Sequence, residues 1–515
     1  MKLTVYDGAG VIGGNKILLE TGDTRLFFDF GTTFAQRELY FEEYLKPRAP
    51  RGLLDLVTMG LLPPLLGLYR DDMLLRDGCV EERMRRKPGC REVGPVDGVL
   101  LSHAHVDHSG YISFLRADIP VYCTAMTAVI AKAMQDSGQS DFEKEVCYQT
   151  PREEDGDGVL KTTHYRAAAY RGRQFYTFDA SVAAAVSEFW CRSCASRALD
   201  HKPLLAAGKV GRLAARAYPV DHSIYGAAAC AVETERGWIV YTGDLRLHGK
   251  RGAATERFVR AAAELKPYLL ICEGTHVGSQ SVASEDEVFE HCLRAVAGAK
   301  GLVVADFGPR NVERLVTFRD IAKETGRKLA ILAKDAYLLE AMRLADDSVP
   351  DIRAGDTIRI YRDVKAAEQK WERELLGRYE GELVDASQVK RHEPEYILCL
   401  SFWDVNELVD LDPRPGGLYV YSSSEAYSEE QRIDHARLQN WLAAFGMTVV
   451  GLDKERDPGY HASGHITGPD LLSLIERIGP QLLLPVHTQQ PEFFLENVQG
   501  TCHVIVPERG EETVL

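Results

Sequence analysis

The sequence predicts an α/β fold, on three observations. Short extended runs separated by Gly-containing turns open the chain (LTVYDG, NKILLET, TRLFFDFG). Later strands such as WIVYTGDL alternate with helical stretches such as ATERFVRAAAEL. Between about residue 284 and residue 446 the alternation becomes regular, GLVVADF, VERLVTFRDIAKETG, KLAILAK and DAYLLEAMRLA following one another as parallel βαβ units do.

At 515 residues and 45% hydrophobic content the chain can bury a sizeable core and exceeds what one domain usually holds. The expected division is a first part over 1–283, an inserted βαβ domain over 284–446 and a closing part over 447–515. Within the first part, 34–95 reads as a helix-rich insertion, a lid or an interaction surface. GAGVIG at 8–13 matches a dinucleotide-binding pattern, but NKILLE after it is extended, so no helix N-terminus waits for a pyrophosphate and a turn is expected.

A net charge of −15 excludes a diffuse electrostatic grip on a polyanion, so any nucleic acid must lie in a local basic channel. The most apolar stretch, LLDLVTMGLLPPLLGLY, is broken by Pro63 and Pro64 and carries Asp55, which excludes a membrane span. A soluble, cytoplasmic protein is expected. Its eleven cysteines, in runs such as VYCTAM and LLICEG, read as small buried hydrophobes; Cys191 and Cys194, with Cys79 and Cys90, form only a weak structural-zinc pattern.

The chemistry concentrates in SHAHVDHSG, directly after the strand-like GVLL. Alternate residues at a strand end point to one side, so His103 and His105 can converge on one ion while Asp107 and His108 reach another. Four side chains cannot fill two sites. Candidates for the rest follow later strand-like runs: His222 after ARAYPVD, Asp244 in WIVYTGDL and His487 in QLLLPVH. Two adjacent divalent ions would lower the pKa of a shared water from about 15.7 towards roughly 7 and neutralise charge on a phosphoryl group. Imidazole and carboxylate ligands without thiolate favour two Zn²⁺, with Mn²⁺ as the alternative.

With Asp29 in FFDFG, the H-x-H-x-D-H cluster, His222 and Asp244, the sequence resembles the metallo-β-lactamase superfamily, which implies an αββα sandwich. By that resemblance His103, His105 and His222 hold one ion, Asp107, His108 and His487 the other, and Asp244 bridges them. Glu273 in LLICEGTH, His465 in HASGHITG and His487 in LLPVH, in that order around an insertion, further resemble the β-CASP nuclease branch, ribonuclease-J-like members above all. The resemblance implies a metal-dependent ribonuclease acting on RNA, expected to be single-stranded, with a homodimer left open. A DNA exonuclease of the same branch and a small-molecule metallohydrolase are the alternatives, and the choice between endonucleolytic and 5′ attack stays open.

Roles follow from chemistry. Asp107 can hydrogen-bond the nucleophile as well as ligate, and Asp29 or Glu273 can accept a ring N–H and fix a histidine tautomer. His465, on the turn with Ser463 and Gly464 ahead of GPDLLSLIERIG, is cast as a phosphate-facing donor. Arg310 precedes an expected helix N-terminus, and RMRRKPGCR at 83–91 and YRGRQFY at 170–176 are candidate RNA contacts.

Overall fold

The computed structural model of the chain describes residues 1–42, 44–156, 158–423, 429–453, 456–498 and 500–515. Among them, two mixed sheets lie face to face. The first has eight strands, in the order Leu205–Ala206, Phe175–Thr177, Val121–Cys123, Gly98–Leu100, Thr24–Phe28, Lys16–Thr21, Lys2–Asp7 and Glu512–Val514. The second has seven: Lys209–Val210, Leu213–Pro219, Ala228–Thr234, Gly237–Tyr241, Leu269–Glu273, Leu482–Val486 and His503–Val504.

Period-two patterning decides what each face meets. Leu3, Val5, Ile17, Leu19, Leu26 and Phe28 point inward and share one buried cluster with Val232, Ile239, Tyr241, Ile271 and Leu484 of the facing sheet. Leu18 and Phe27, one residue out of step, join the opposite layer, with Val129 and Ala133 of the helix Ala125–Ser137. On the far side Phe258, Val259 and Ala262 of Gly252–Leu265 and Leu471, Leu474, Ile475 and Ile478 of Gly468–Ile478 cover Val240, Leu270 and Leu483. That i, i+3, i+4 spacing presents one apolar stripe per helix and completes an αββα sandwich. Thr467 caps the second of these helices at its N-terminus, and Gly479 ends it in the left-handed conformation.

A third sheet is parallel throughout, with strands Leu383–Val384, Ile358–Tyr361, Lys328–Leu332, Tyr396–Cys399, Val303–Asp306, Leu418–Tyr421 and Thr448–Val450 in spatial order. The near-continuous apolar runs noted in the sequence are its strands, buried on both faces.

A buried charge network ties this sheet's surroundings to the sandwich. Arg246, fully buried, donates to Glu285 at 3.1 Å, Glu313 at 2.9 Å and the Ser463 carbonyl at 3.0 Å, and pairs with Asp221 at 3.4 Å. Arg314 donates to Glu285 at 3.0 Å and to the carbonyls of Ser422 at 2.8 Å and Tyr460 at 3.2 Å. Breaking one partner of such a set costs about 3–5 kcal/mol, because it strands the others as uncompensated buried charge.

Two expectations change. The segment 34–95 is short helices and turns rather than helix-rich, and from Leu53 onward it is largely core: Leu53, Leu56, Leu61, Leu65, Leu68, Met73 and Val80 are buried in one cluster with Phe27, Val99 and Tyr111, whereas Phe34, Leu39, Tyr40, Tyr44 and Leu45 are exposed. So many leucines leave water whatever their local structure. The candidate RNA contacts in YRGRQFY also fall away in part, since Arg173 is fully buried and donates to the carbonyls of Ile112, Leu115, Arg116, Ile119 and Val146. In RMRRKPGCR, Arg91 pairs with Glu20, Lys87 with the Thr58 carbonyl and Arg86 with Glu82. GAGVIG is a turn, with Gly8, Gly10 and Gly13 at positive φ and the strand Lys16–Thr21 after it. No described helix is long and apolar enough to cross a membrane.

Candidate metal centre

The strands deliver the candidate residues to one rim of the sandwich. His103 and His105 follow Gly98–Leu100, with Asp107 and His108 in the short helix Val106–Ser109; His222 follows Leu213–Pro219; Asp244 follows Gly237–Tyr241; Glu273 ends Leu269–Glu273; and His487 follows Leu482–Val486. Asp29, after Thr24–Phe28, and His487 take left-handed φ of 55° and 53°. For a non-glycine residue that costs about 1–2 kcal/mol.

The side chains converge in two groups, with a third of metal-binding size, Asp244, Glu273, His465 and His487, overlapping the second. In the first, His103 Nε2 and His222 Nε2 each lie 3.1 Å from His105 Nδ1. In the second, His108 Nε2 is 3.1 Å from Asp244 Oδ2 and 3.7 Å from Asp107 Oδ2, and His487 Nε2 is 3.4 Å from Asp107 Oδ2. The Asp244 carboxylate stands between them: Oδ2 is 3.8 Å from His103, His222 and His487 Nε2 alike.

The partners behind the rings fix four tautomers. Gly464 O can only accept, so His222 Nδ1 carries the proton in their 2.6 Å contact. Asp29 Oδ2 likewise takes the His108 Nδ1 proton at 2.7 Å. Ser102 Oγ donates to Asp29 at 2.8 Å and therefore accepts from His103 Nδ1 at 3.0 Å. Thr275 Oγ1 donates to the His487 carbonyl at 3.2 Å and accepts from His487 Nδ1 at 2.8 Å. Each of these histidines thus turns Nε2 inward, as a metal ligand must. Without an ion, burial opposes a charge on His108, yet the Asp244, Asp107 and Asp29 carboxylates prevail and hold its pKa well above the ordinary imidazole range, so a cation must displace its proton.

Burial supplies the electrostatics. It holds His103 and His222 well below the ordinary imidazole range and His105 down at about 4, so all three are neutral. For Asp107 and Asp244 burial would raise the carboxyls, but neighbouring His108 and His487 hold both low and anionic. Converging neutral lone pairs beside carboxylates repel unless a cation lies between them. His108 Nε2 and Asp244 Oδ1 are moreover buried without a hydrogen-bond partner. The residues present therefore fit divalent cations with nitrogen and oxygen ligands.

His465 stands beside this centre. Its Nδ1 donates to Glu273 Oε2 at 2.8 Å and lies 4.0 Å from Asp244 Oδ2. Burial opposes its charge, yet the Glu273 and Asp244 carboxylates prevail and push its pKa up to about 9. Glu273 is itself anchored by the Leu245 N–H at 2.7 Å. A cleft of about 280 Å³ opens over the centre, lined by His105, Asp107, Arg310, Ser463, Gly464 and His465 among others. Burial lowers the Arg310 guanidinium, partly offset by Asp107, and its Nε finds no hydrogen-bond partner.

Asp29, Glu273, His465, Ser463, Gly464 and Arg310 thus lie with the ligand set, whereas no metal-sized group among the described residues contains a cysteine. Cys194 meets the Tyr148 hydroxyl instead. Sequence reasoning passed over Ser102, Thr275 and Tyr241, whose hydroxyl donates to Asp29 at 2.7 Å. The signal for the first two was adjacency, one residue before His103 and two after Glu273.

A family model for a beta-lactamase superfamily domain matches residues 72–167. The chain is 24% identical over 456 residues to Ribonuclease J of Mycolicibacterium smegmatis, covering 85% of this chain and 64% of that protein. It is 25% identical over 447 residues to Ribonuclease J of Corynebacterium glutamicum, covering 84% and 50%. To Ribonuclease J of Mycoplasma pneumoniae it is 22% identical, covering 79% and 60%. The chain thus spans about half to two thirds of the length of these curated relatives. A crystal structure of a protein of unknown function from Enterococcus faecalis V583 superposes with a TM-score of 0.67 at 24% identity, covering 100% of this chain and 99% of that one. In fold and in motif order, the chain is similar to ribonuclease-J-like members of the β-CASP branch of the metallo-β-lactamase superfamily.

Proposed function

We propose that the chain is a metal-dependent ribonuclease that hydrolyses phosphodiester bonds of single-stranded RNA in the cytoplasm. The observation that carries this reading is the placement of a cationic His465 within 4.0 Å of Asp244, the carboxylate between the three-histidine group and the group of Asp107, His108 and His487. His103, His105 and His222 would hold one ion, Asp107, His108 and His487 the other, with Asp244 shared; Zn²⁺ suits these donors, with Mn²⁺ as alternative. When bound, such a pair supplies an acidified water and neutralises phosphoryl charge.

The chain's own residues do the rest. Asp107, only partly buried, presents a carboxylate to the cleft and can accept the proton of an attacking water. His465 keeps a proton available at Nε2 for the phosphate or the leaving oxygen, with Glu273 stabilising its charge. Asp29 locks the His108 ring and, through Ser102, the His103 ring. Arg310 and the backbone of Ser463 and Gly464 would hold the flanking phosphates. Residues 284–446 are read as the inserted domain that closes the cleft, and a homodimer is compatible with the reading.

The test incubates purified protein with end-labelled 5′-monophosphate RNA, 5′-triphosphate RNA, matched DNA and a small phosphodiester, before and after chelation. RNA cleavage that chelation abolishes and Zn²⁺ or Mn²⁺ restores is expected, and the product ladder separates internal from terminal attack. Preference for DNA or for the small diester would replace this reading.

A further inference from the structure

A second cavity, of about 190 Å³, opens at the carboxyl edge of the parallel sheet. It lies where the strand order turns back: Tyr396–Cys399 pairs with one side of Val303–Asp306 and Leu418–Tyr421 with the other. Crevices at such switch points are where open α/β sheets take their ligands. Its walls are aromatic. Phe402 and Trp403 pack edge to face with ring centroids 5.1 Å apart, and Trp403 leaves 71% of its surface exposed. Phe307, also in the lining, stacks on Phe318 at 5.6 Å with the rings 8° from parallel. Across the cavity Tyr421 meets His435 edge to face.

The chemistry of the lining selects the occupant. No lysine or arginine lines this cavity among the described residues, so it offers a phosphate no fixed positive charge, and Asp306 and Asp434 oppose one. Its polar groups, among them Ser401, Gln431, Asp434 and His435, include both donors and acceptors able to meet the edge of a planar ring between aromatic faces. A flat aromatic ring of low charge fits; a backbone phosphate does not. The cavity also adjoins the metal cleft, with Gly308, Pro309 and Ser423 lining both.

We propose that this cavity is a nucleobase subsite, in which one base of the strand bound at the metal centre passes Gly308 and Pro309 and stacks on Trp403. The inference rests on the ribonuclease reading and adds where a base outside the reacting bond is held. The test measures binding by fluorescence anisotropy, with metal-loaded full-length protein. The ligands are 3′-fluorescein RNA ten-mers with hydrolysis-resistant phosphorothioate linkages, each carrying a single abasic nucleotide at a different position. Base stacking of this kind gives about a 5- to 100-fold effect per base. One abasic position should therefore weaken wild-type binding by that factor. Trp403→Ala should weaken the intact ten-mer equally and erase the penalty at that position, while Trp403→Phe restores most of both. Thermal melting of the two variants checks folding, which the exposure of Trp403 should spare. Intact RNA bound by Trp403→Ala as tightly as by wild type, or an abasic penalty that persists in that variant, overturns the subsite. If wild type cleaves RNA while either result is seen, the subsite fails alone; if wild type neither binds nor cleaves RNA, the ribonuclease reading fails with it.

Discussion

Replacing Gly464 by alanine should weaken metal binding at one of the two proposed ion sites and leave the other unchanged. A Cβ at 464 would sit 2.9 Å from His222 Cε1, 2.9 Å from Ser223 Oγ and 3.2 Å from His222 Nδ1. Carbon atoms in ordinary contact stand about 3.5–4.0 Å apart, so the imidazole must retreat by roughly 0.6 Å or more. That retreat stretches the 2.6 Å bond from His222 Nδ1 to the Gly464 carbonyl and carries Nε2 off its 3.1 Å convergence with His105. Disturbing the partner that orients a metal-binding histidine typically costs about 10- to 100-fold in metal affinity. The three-histidine site should lose that much, while the site of Asp107, His108 and His487, whose braces are Asp29 and Thr275, keeps its affinity. Competition against a fluorescent zinc chelator resolves the two binding steps, and melting of the ion-free variant shows whether the fold survives. A folded Gly464→Ala protein with both wild-type affinities would refute the argument that this carbonyl and this close approach place His222.

His465→Ala should retain both ions yet lose about 10²- to 10⁴-fold in rate. Glu273→Gln should bring the alkaline fall of activity from near pH 9 towards the ordinary imidazole range, because the carboxylate is what sustains the proton on His465; an unmoved alkaline limb removes His465 from proton delivery. Arg310→Glu should weaken RNA binding and reduce the salt slope by about 0.7 for each phosphate left without its cation, while reversal of Arg85 and Arg86, away from the cleft lining, should not; equal effects would move the RNA path. Asp306, buried, has its carboxyl pushed up to about 7. Between its ordinary range near 4 and pH 7 the native state keeps a proton the unfolded chain has released, so stability must fall as pH rises through that window. Urea titrations of ion-free protein from pH 4.5 to 8 should show that decline flattened in Asp306→Asn, and an unchanged slope would mean Asp306 is ionised in the native state.

How much of this was legible depended on whether a feature is local. The cluster from His103 to His108 is contiguous, so strand periodicity alone set which side chains could meet. His222, Asp244 and His487 lie far along the chain and were legible only because polar groups at the ends of apolar runs collect at one rim. The parallel sheet was legible for the opposite reason: strands buried on both faces are plain apolar runs. What could not be read was which charges leave water. Arg173 sits in a basic, aromatic stretch that looks like an RNA contact, yet it is spent on carbonyls within the sandwich's own loops. Asp55, Pro63 and Pro64 interrupt an apolar stretch enough to hide that its leucines are core. Composition states how many charges a segment has and not where they end up.

The network of Arg246, Arg314, Glu285, Glu313 and Asp221 bears on the order in which a growing chain can become active. Arg246 reaches the Ser463 carbonyl across 217 positions, and the neighbouring Gly464 carbonyl orients His222 across 242. A nascent chain that has emerged through residue 446 therefore carries six of the seven groups assigned to the ions but lacks the backbone that aims His222, as well as His465 and His487. Until the last part arrives, the guanidinium of Arg246 lacks one of its acceptors, the Ser463 carbonyl. On the proposed ribonuclease reading, hydrolytic competence is a late event of synthesis, and a ribosome-bound fragment should spare the messages around it.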